Sequence, residues 1–143
     1  GGELKAKGIN ADGNVWRVGV DKPSEEIDFK ERFQFILDLE DKALATSGNY
    51  RKFYVKDGVK YAHTINPKTG FPAKNRLLSV TVVTNECSLA DAYATAFMAM
   101  GLKKTKQIIK TLDDKLEVYI VYTDKNGDWK IYISPAMKKR IVN

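Results

Sequence analysis

Asp91 and Thr95 stand four positions apart in a segment rich in alanine. Residues at this spacing lie on one face of an α-helix, one turn from each other. A carboxylate and a hydroxyl placed in this way present two oxygens to one hard cation such as Mg²⁺, which prefers oxygen ligands and completes its shell with water and phosphate. A second interpretation stays open, because Ser88 and Asp91 also match the Ser-x-x-Asp capping box of a helix start.

His63 is the single histidine of the sequence. It lies at the end of a predicted strand, shortly before the turn-forming residues 66–70. Imidazole takes up and releases protons near neutral pH, so a histidine in this place could act as a general base. A structural or simply exposed histidine is the alternative.

Residues 45–50 place hydroxyl groups, a glycine and backbone amides between two predicted strands. Such a turn can receive a phosphate or cradle a ring, although the same composition is ordinary for turns. Cys87 immediately precedes the predicted helix. We interpret it as structural, because the neighbouring sequence offers no catalytic partner for a thiol.

The elements that must position these residues are mainly strands. Strands are predicted at residues 4–9, 15–20, 33–39, 42–46, 51–55, 59–64, 77–84, 116–122 and 129–133, with a loop at residues 24–32. Asp12-Gly13 predicts a hairpin between the first two strands, because glycine tolerates a positive φ, and residues 56–58 predict a second hairpin.

Two consecutive helices are predicted in the second half, at residues 89–100 and 103–112. Ser88 is a favourable N-cap for the first, and Gly101 suits the position just after its last turn. Together the elements predict an α+β fold, in which a mainly antiparallel sheet carries two consecutive helices packed on it.

Composition narrows the function classes. The 143 residues fit one domain, and no apolar run approaches the ~20 residues that span a bilayer. One cysteine excludes an internal disulfide framework and a Cys-rich zinc site. Because the sequence has only one histidine as well, a metal site would need oxygen ligands. The net charge of +6 is spread along the chain, and its short clusters at residues 103–106 and 138–140 lack interleaved aromatics. This pattern disfavours a nucleic-acid binder.

Five blocks in fixed order resemble the ApbE family of FAD:protein FMN transferases, formerly described as thiamine-biosynthesis lipoproteins. The blocks are GGE at 1–3 with AKG at 6–8, WRVGV at 16–20, ATSGNYR at 45–51, HTINPKTGFP at 63–72 and ADAYATA at 90–96. Each block alone is a modest signal, whereas the five in order are specific.

The resemblance implies both an activity and a site. Enzymes of this family cleave the pyrophosphate of FAD and join the FMN phosphate to a threonine hydroxyl of a target protein, releasing AMP. Asp91 and Thr95 would then be the metal ligands, with Mg²⁺ as the ion, and His63 the base that deprotonates the acceptor threonine. Ile65 and Asn66 would contact the flavin nucleotide. A relative that binds FAD, or hydrolyses its pyrophosphate without transfer to protein, is the alternative.

Family members are considerably longer than this chain. We therefore expect residues 1–143 to be the C-terminal portion of a flavin transferase domain of ApbE-like (T-fold-like) architecture, with the N-terminal half absent and the fragment inactive by itself. The resemblance also implies an extracytoplasmic location, on the periplasmic face of the inner membrane, with a lipid anchor on the missing N-terminus. The expected partners are FAD and target flavoproteins, such as redox-pump subunits, that carry an acceptor threonine.

Overall fold

The computed structural model of the chain describes residues 2–23, 32–49, 53–57, 59–113 and 115–142. The predicted loop at 24–32 lies outside these ranges apart from its last residue, as do the first two residues of the predicted strand 51–55. The strands are β1 Glu3–Lys5, β2 Trp16–Asp21, β3 Phe33–Leu39, β4 Ala43–Gly48, β5 Phe53–Lys56, β6 Val59–Ala62, β7 Leu77–Thr84, β8 Glu117–Thr123 and β9 Trp129–Ile133. The helices are α1 Cys87–Met100, α2 Leu102–Thr111 and α3 Pro135–Lys138.

An antiparallel sheet of five strands, in the order β1-β4-β7-β8-β9, organises the fold. Two antiparallel pairs, β2-β3 and β5-β6, accompany it. Strand β7 is central and almost wholly buried, which suits its sequence rich in valine and threonine. The predicted α+β class and the two consecutive helices are confirmed.

The sheet separates two apolar cores, because successive side chains of β7 and β8 point to opposite faces. Helices α1 and α2 cover one face. That core contains Leu77, Val80, Val82, Ala94, Phe97, Met98, Ile109, Val118 and Ile120. The β2-β3 pair and α3 cover the other face. That second core contains Ala6, Val20, Phe35, Leu37, Leu39, Leu44, Val83, Tyr119, Val121 and Met137.

The predicted hairpin between the first two strands is wrong in its pairing. The turn itself forms, with Gly13 at φ +79°. Among the described residues, however, the chain before the turn pairs with the chain after it only through the Ile9–Val15 bridge. Strand β1 instead pairs with β4, and Gly8 at φ +56° donates its N–H to the Asp41 carboxylate over 3.1 Å. A hydrogen bond from Lys7, together with the Gly8 N–H, holds the pKa of the Asp41 carboxyl below its ordinary value. These contacts lead the chain away from β2.

Asn75 joins the sheet to the end of α1. Its side-chain Nδ2 donates to the Met98 carbonyl over 2.7 Å, and its Oδ1 accepts from the Leu77 N–H over 3.0 Å. Met98 lies in the last turn of α1, where carbonyls have no helical partner. Asn75 thereby fixes the segment that enters β7 against the helix.

We predict that Asn75→Ala lowers the free energy of unfolding by about 1–3 kcal/mol, because a partly buried carbonyl and amide lose their partner. Urea unfolding followed by circular dichroism measures the change. Asn85→Ala is the matched control: Asn85 is exposed and binds only the side chain of Lys42 among the described residues, so we expect a change within about 0.5 kcal/mol. Equal losses in the two variants would contradict the role of Asn75.

Candidate functional site

The start of α1 decides between the two interpretations of Asp91. The helix begins at Cys87, with Glu86 as N-cap and no side-chain cap bond, so the predicted N-cap at Ser88 is wrong. Thr84 shapes the entry instead: its Oγ1 accepts from the Glu86 N–H and donates to the Glu86 carbonyl. Asp91 therefore stands beyond the first turn, where a capping-box carboxylate does not reach the orphan amides.

Asp91 and Thr95 both lie on the exposed side of α1, one turn apart. The Thr95 Oγ1 lies 3.2 Å from the Oγ of Ser47, which is half-buried near the end of β4. Among the described residues, the Asp91 carboxylate has no hydrogen-bond or ion-pair partner. One carboxylate and two hydroxyls thus belong to one surface region, formed by α1 and β4.

Small side chains allow this approach of helix and strand. Ala90 and Ala94 are fully buried and face the sheet. Asp91 and Thr95 each directly follow one of these alanines in the sequence. Because an α-helix rotates by about 100° per residue, both lie at the rim of the buried face. The alanine-rich sequence therefore brings Thr95 within reach of Ser47 while the residue stays exposed.

His63 lies exposed at the start of the loop that joins β6 to β7. Ile65 pairs with Pro72 in an antiparallel bridge, and the Asn66 N–H donates to the Phe71 carbonyl over 2.9 Å. The Asn66 Oδ1 accepts from the Lys68 N–H over 3.0 Å, so this side chain holds the turn that Pro67 begins.

The segment that enters β7 and the end of β4 lie at the same end of the sheet. β4 is antiparallel to β7, and Gly48 pairs with Ser79, so β4 ends where β7 begins. Asn49 fixes this junction with its Nδ2 on the Leu77 carbonyl at 2.7 Å. The loop that starts at His63 runs directly into β7. The end of β4, the exposed face of α1 and the last residues of this loop therefore lie close together.

The donor set fits Mg²⁺. In the part of the chain that the structure describes, no cluster of three or more His, Cys, Asp or Glu residues could hold a metal ion. Asp91 supplies one carboxylate and Thr95 one hydroxyl, both exposed. Mg²⁺ typically takes one or two carboxylates and keeps water or phosphate oxygens for the rest of its shell. An ion that needs a full protein cage would not fit.

Two residues of this region, Ser47 and Asn75, were not predicted from the sequence to take the contacts they make. Ser47 belongs to a segment recognised as a possible phosphate or ring cradle, but its contact with Thr95 joins residues 48 positions apart. Asn75 carried no motif at all. A half-buried asparagine just before a strand is a weak signal, since the residue type is common in turns.

Comparison with known proteins identifies the class. The ApbE family matches residues 1–120, and the chain belongs to this family. It is 38% identical over 138 residues to the FAD:protein FMN transferase of Vibrio cholerae serotype O1, covering 96% of this chain and 40% of the relative. It is 34% identical over 143 residues to the enzyme of the same name from Escherichia coli K12, covering 100% of this chain and 39% of the relative.

Solved structures agree in fold. The flavin transferase ApbE from Vibrio cholerae superposes with a TM-score of 0.79 at 38% identity, covering 98% of this chain and 42% of that one. The ApbE protein from Thermotoga maritima gives 0.78 at 30% identity, over 97% and 42%. The chain therefore spans about two fifths of the length of the relatives it matches. Among the described residues, no helix combines the length and apolarity that crossing a bilayer requires.

We predict that Asp91→Asn, measured in EDTA, leaves the free energy of unfolding unchanged within about 0.5 kcal/mol, because Asp91 does not cap α1. Added Mg²⁺ should stabilise the wild type and not the variant, since a ligand stabilises only the state that binds it. Urea unfolding with and without Mg²⁺ measures both effects.

Thr84→Val serves as the positive control for helix entry and should cost about 1 kcal/mol in EDTA, as the loss of a helix-start hydrogen bond does. If Asp91→Asn lost as much as Thr84→Val in EDTA, the carboxylate would be a cap and the metal interpretation would be wrong.

Proposed function

We propose that these 143 residues form the C-terminal portion of a flavin transferase, which moves FMN from FAD to a threonine hydroxyl of a target protein and releases AMP. The observation that supports the proposal is the pairing of Asp91 and Thr95 on the exposed side of α1, beside the Ser47 hydroxyl, in a chain of the ApbE family. The names of the relatives from Vibrio cholerae and Escherichia coli support it.

The reaction exchanges the phosphoanhydride bond of FAD for a phosphoester bond to threonine. The threonine Oγ forms a bond to the phosphorus of the FMN half, while the bond from that phosphorus to the bridging oxygen breaks and AMP leaves with this oxygen. The threonine proton must go to a base as its oxygen attacks. His63 is exposed, so its imidazole can meet the hydroxyl of another protein and accept this proton.

Asp91 and Thr95 are the residues that would hold Mg²⁺, and the ion would offset the charge that develops on the diphosphate oxygens. Ser47 is placed to orient Thr95. An oxygen that binds a cation must direct its hydrogen elsewhere, and the Ser47 Oγ at 3.2 Å is an acceptor in that position.

Ile65 and Asn66 would contact the flavin nucleotide. The Asn66 Oδ1 already accepts the Lys68 N–H, so its remaining donor, Nδ2, is the group available to a nucleotide oxygen. Ile65 is 49% exposed and offers an apolar surface to a ring. Both residues are held by the turn that follows His63, which keeps base and nucleotide contacts in fixed relation.

We assign the complete transferase to the periplasmic face of the inner membrane, held by a lipid anchor that lies outside these residues. Its acceptors would be exported flavoproteins, including redox-pump subunits with an acceptor threonine. The resemblance to the family supports this assignment. Because the chain spans about two fifths of its relatives, we expect the 143 residues alone to bind FAD weakly and not to turn it over.

We predict that His63→Ala in the complete transferase lowers the rate of acceptor labelling by about 10²–10⁴-fold while sparing FAD binding, because it removes a general base. Asp91→Ala should abolish labelling at any Mg²⁺ concentration tested. Fluorescence of the covalent flavin on a purified redox-pump subunit, after denaturing electrophoresis, measures the rate. Asp128→Ala, which removes an exposed carboxylate from the β8-β9 turn, is the control and should label normally.

A normal rate in His63→Ala would remove the base role, and a normal rate in Asp91→Ala would remove the metal assignment. Release of free FMN and AMP by the wild type, with no labelled acceptor, would favour the FAD-hydrolysing alternative. His63, Asp91 and Thr95 are all exposed, so water has access to these side chains, as hydrolysis of FAD requires.

A further inference from the structure

We propose that the exposed surface of residues 69–74 is the docking site for the acceptor segment of the target protein, an inference that rests on the proposed function. The segment would be an extended polypeptide with an apolar side chain beside its threonine and a carboxylate nearby. We refer to this surface, formed by Thr69, Phe71, Pro72 and Lys74, as the acceptor surface; it adjoins the proposed flavin contacts Ile65 and Asn66 and does not include them.

The acceptor surface exposes apolar side chains on a firmly held backbone. Phe71 is 70% exposed, the highest value among the exposed large apolar residues of the described chain, and the adjoining Ile65 is 49% exposed. Folding gains little from such positions, whereas a partner that covers them removes apolar area from water.

Backbone hydrogen bonds hold the loop that carries this surface. The Thr69 and Gly70 N–H groups both donate to the Asn66 carbonyl, at 3.2 and 2.9 Å. The Ala73 N–H donates to the Thr64 carbonyl over 2.8 Å, which closes the base of the loop. A partner that binds here therefore loses little free energy to ordering the loop, which favours a docking role.

A cleft gives this surface its shape and chemistry. Asn66, Thr69, Phe71, Pro72 and Lys74 line a cleft of about 430 Å³. Its walls are mostly apolar, with one ammonium group at the edge. The exposed Lys68 lies on the same turn and adds a second positive charge. An apolar side chain with a neighbouring carboxylate complements this combination.

The short distance along the chain between His63 and the acceptor surface indicates which molecule this surface binds. Two extended residues reach at most about 7 Å, so Ile65 lies within that span of His63. Exposure alternates along this stretch, with His63, Ile65 and Pro67 exposed and Thr64 and Asn66 half-buried. His63 and Ile65 therefore face the same side, and the bridge from Ile65 to Pro72 places the acceptor surface beside Ile65. A threonine that gives its proton to His63 must bring its flanking residues across the acceptor surface.

The test measures acceptor and FAD dependence separately in the complete transferase, with a purified redox-pump subunit as the probe. We expect Phe71→Ala to raise the KM for this acceptor about tenfold, the size of an aromatic contact at an interface, with the FAD Kd and the kcat unchanged. Phe71→Leu should restore part of the loss. Trp129→Ala removes an aromatic that is 50% exposed on β9, at a distance along the chain, and should change neither constant.

Charge reversal tests the second feature. Lys74→Glu should raise the acceptor KM at low salt, and the effect should shrink as salt screens the charges. Lys125→Glu, an exposed lysine of the β8-β9 turn, is the matched control and should have no effect.

Three outcomes separate this inference from the function on which it rests. If the wild type labels the acceptor and Phe71→Ala leaves its KM unchanged, the acceptor surface is wrong and the transferase stands. If Phe71→Ala weakens FAD binding instead, the cleft holds the flavin and the inference is overturned. If the wild type labels no acceptor, the proposed function and this inference fail together.

Discussion

The packing of α1 against β4 is the constraint on which the site depends. Two fully buried alanines, Ala90 and Ala94, let the helix approach the sheet closely enough for Thr95 to meet Ser47 at 3.2 Å. Larger side chains at those positions would lift the helix and separate the hydroxyls, because interiors pack at near-crystalline density and do not absorb extra volume. The same geometry carries Asp91 to the accessible rim. One helix-sheet contact thus positions both proposed metal ligands.

Much of the local structure could be predicted because it depends on nearby residues. The alternation of Phe35, Leu37 and Leu39 indicated a strand buried on one side, and all three are buried in β3. Gly101 marked the boundary between two helices, and at φ +80° it separates α1 from α2. Such signals are local, since glycine tolerates this backbone conformation and side chains in a strand alternate with period 2.

The remaining features depend on partners that are distant in sequence. The Asp12-Gly13 turn was correct, yet β1 pairs with β4, because Gly8 and its contact with Asp41 redirect the chain. The start of α1 also depends on a residue outside the helix. Thr84, at the end of β7, bonds the backbone of Glu86, and the helix begins at Cys87, so Ser88 lies inside the first turn. The spacing of Asp91 allowed two roles, capping of the helix and binding of a metal ion. The position at which α1 begins, Cys87, distinguishes them.

The most direct measurement of the central claim is an anomalous-scattering map from crystals of the complete transferase grown with FAD and Mn²⁺ in place of Mg²⁺. Our account predicts one peak bonded to both the Asp91 carboxylate and the Thr95 hydroxyl, next to the diphosphate of the nucleotide. A peak that contacts neither oxygen, with the diphosphate bound elsewhere, would contradict it.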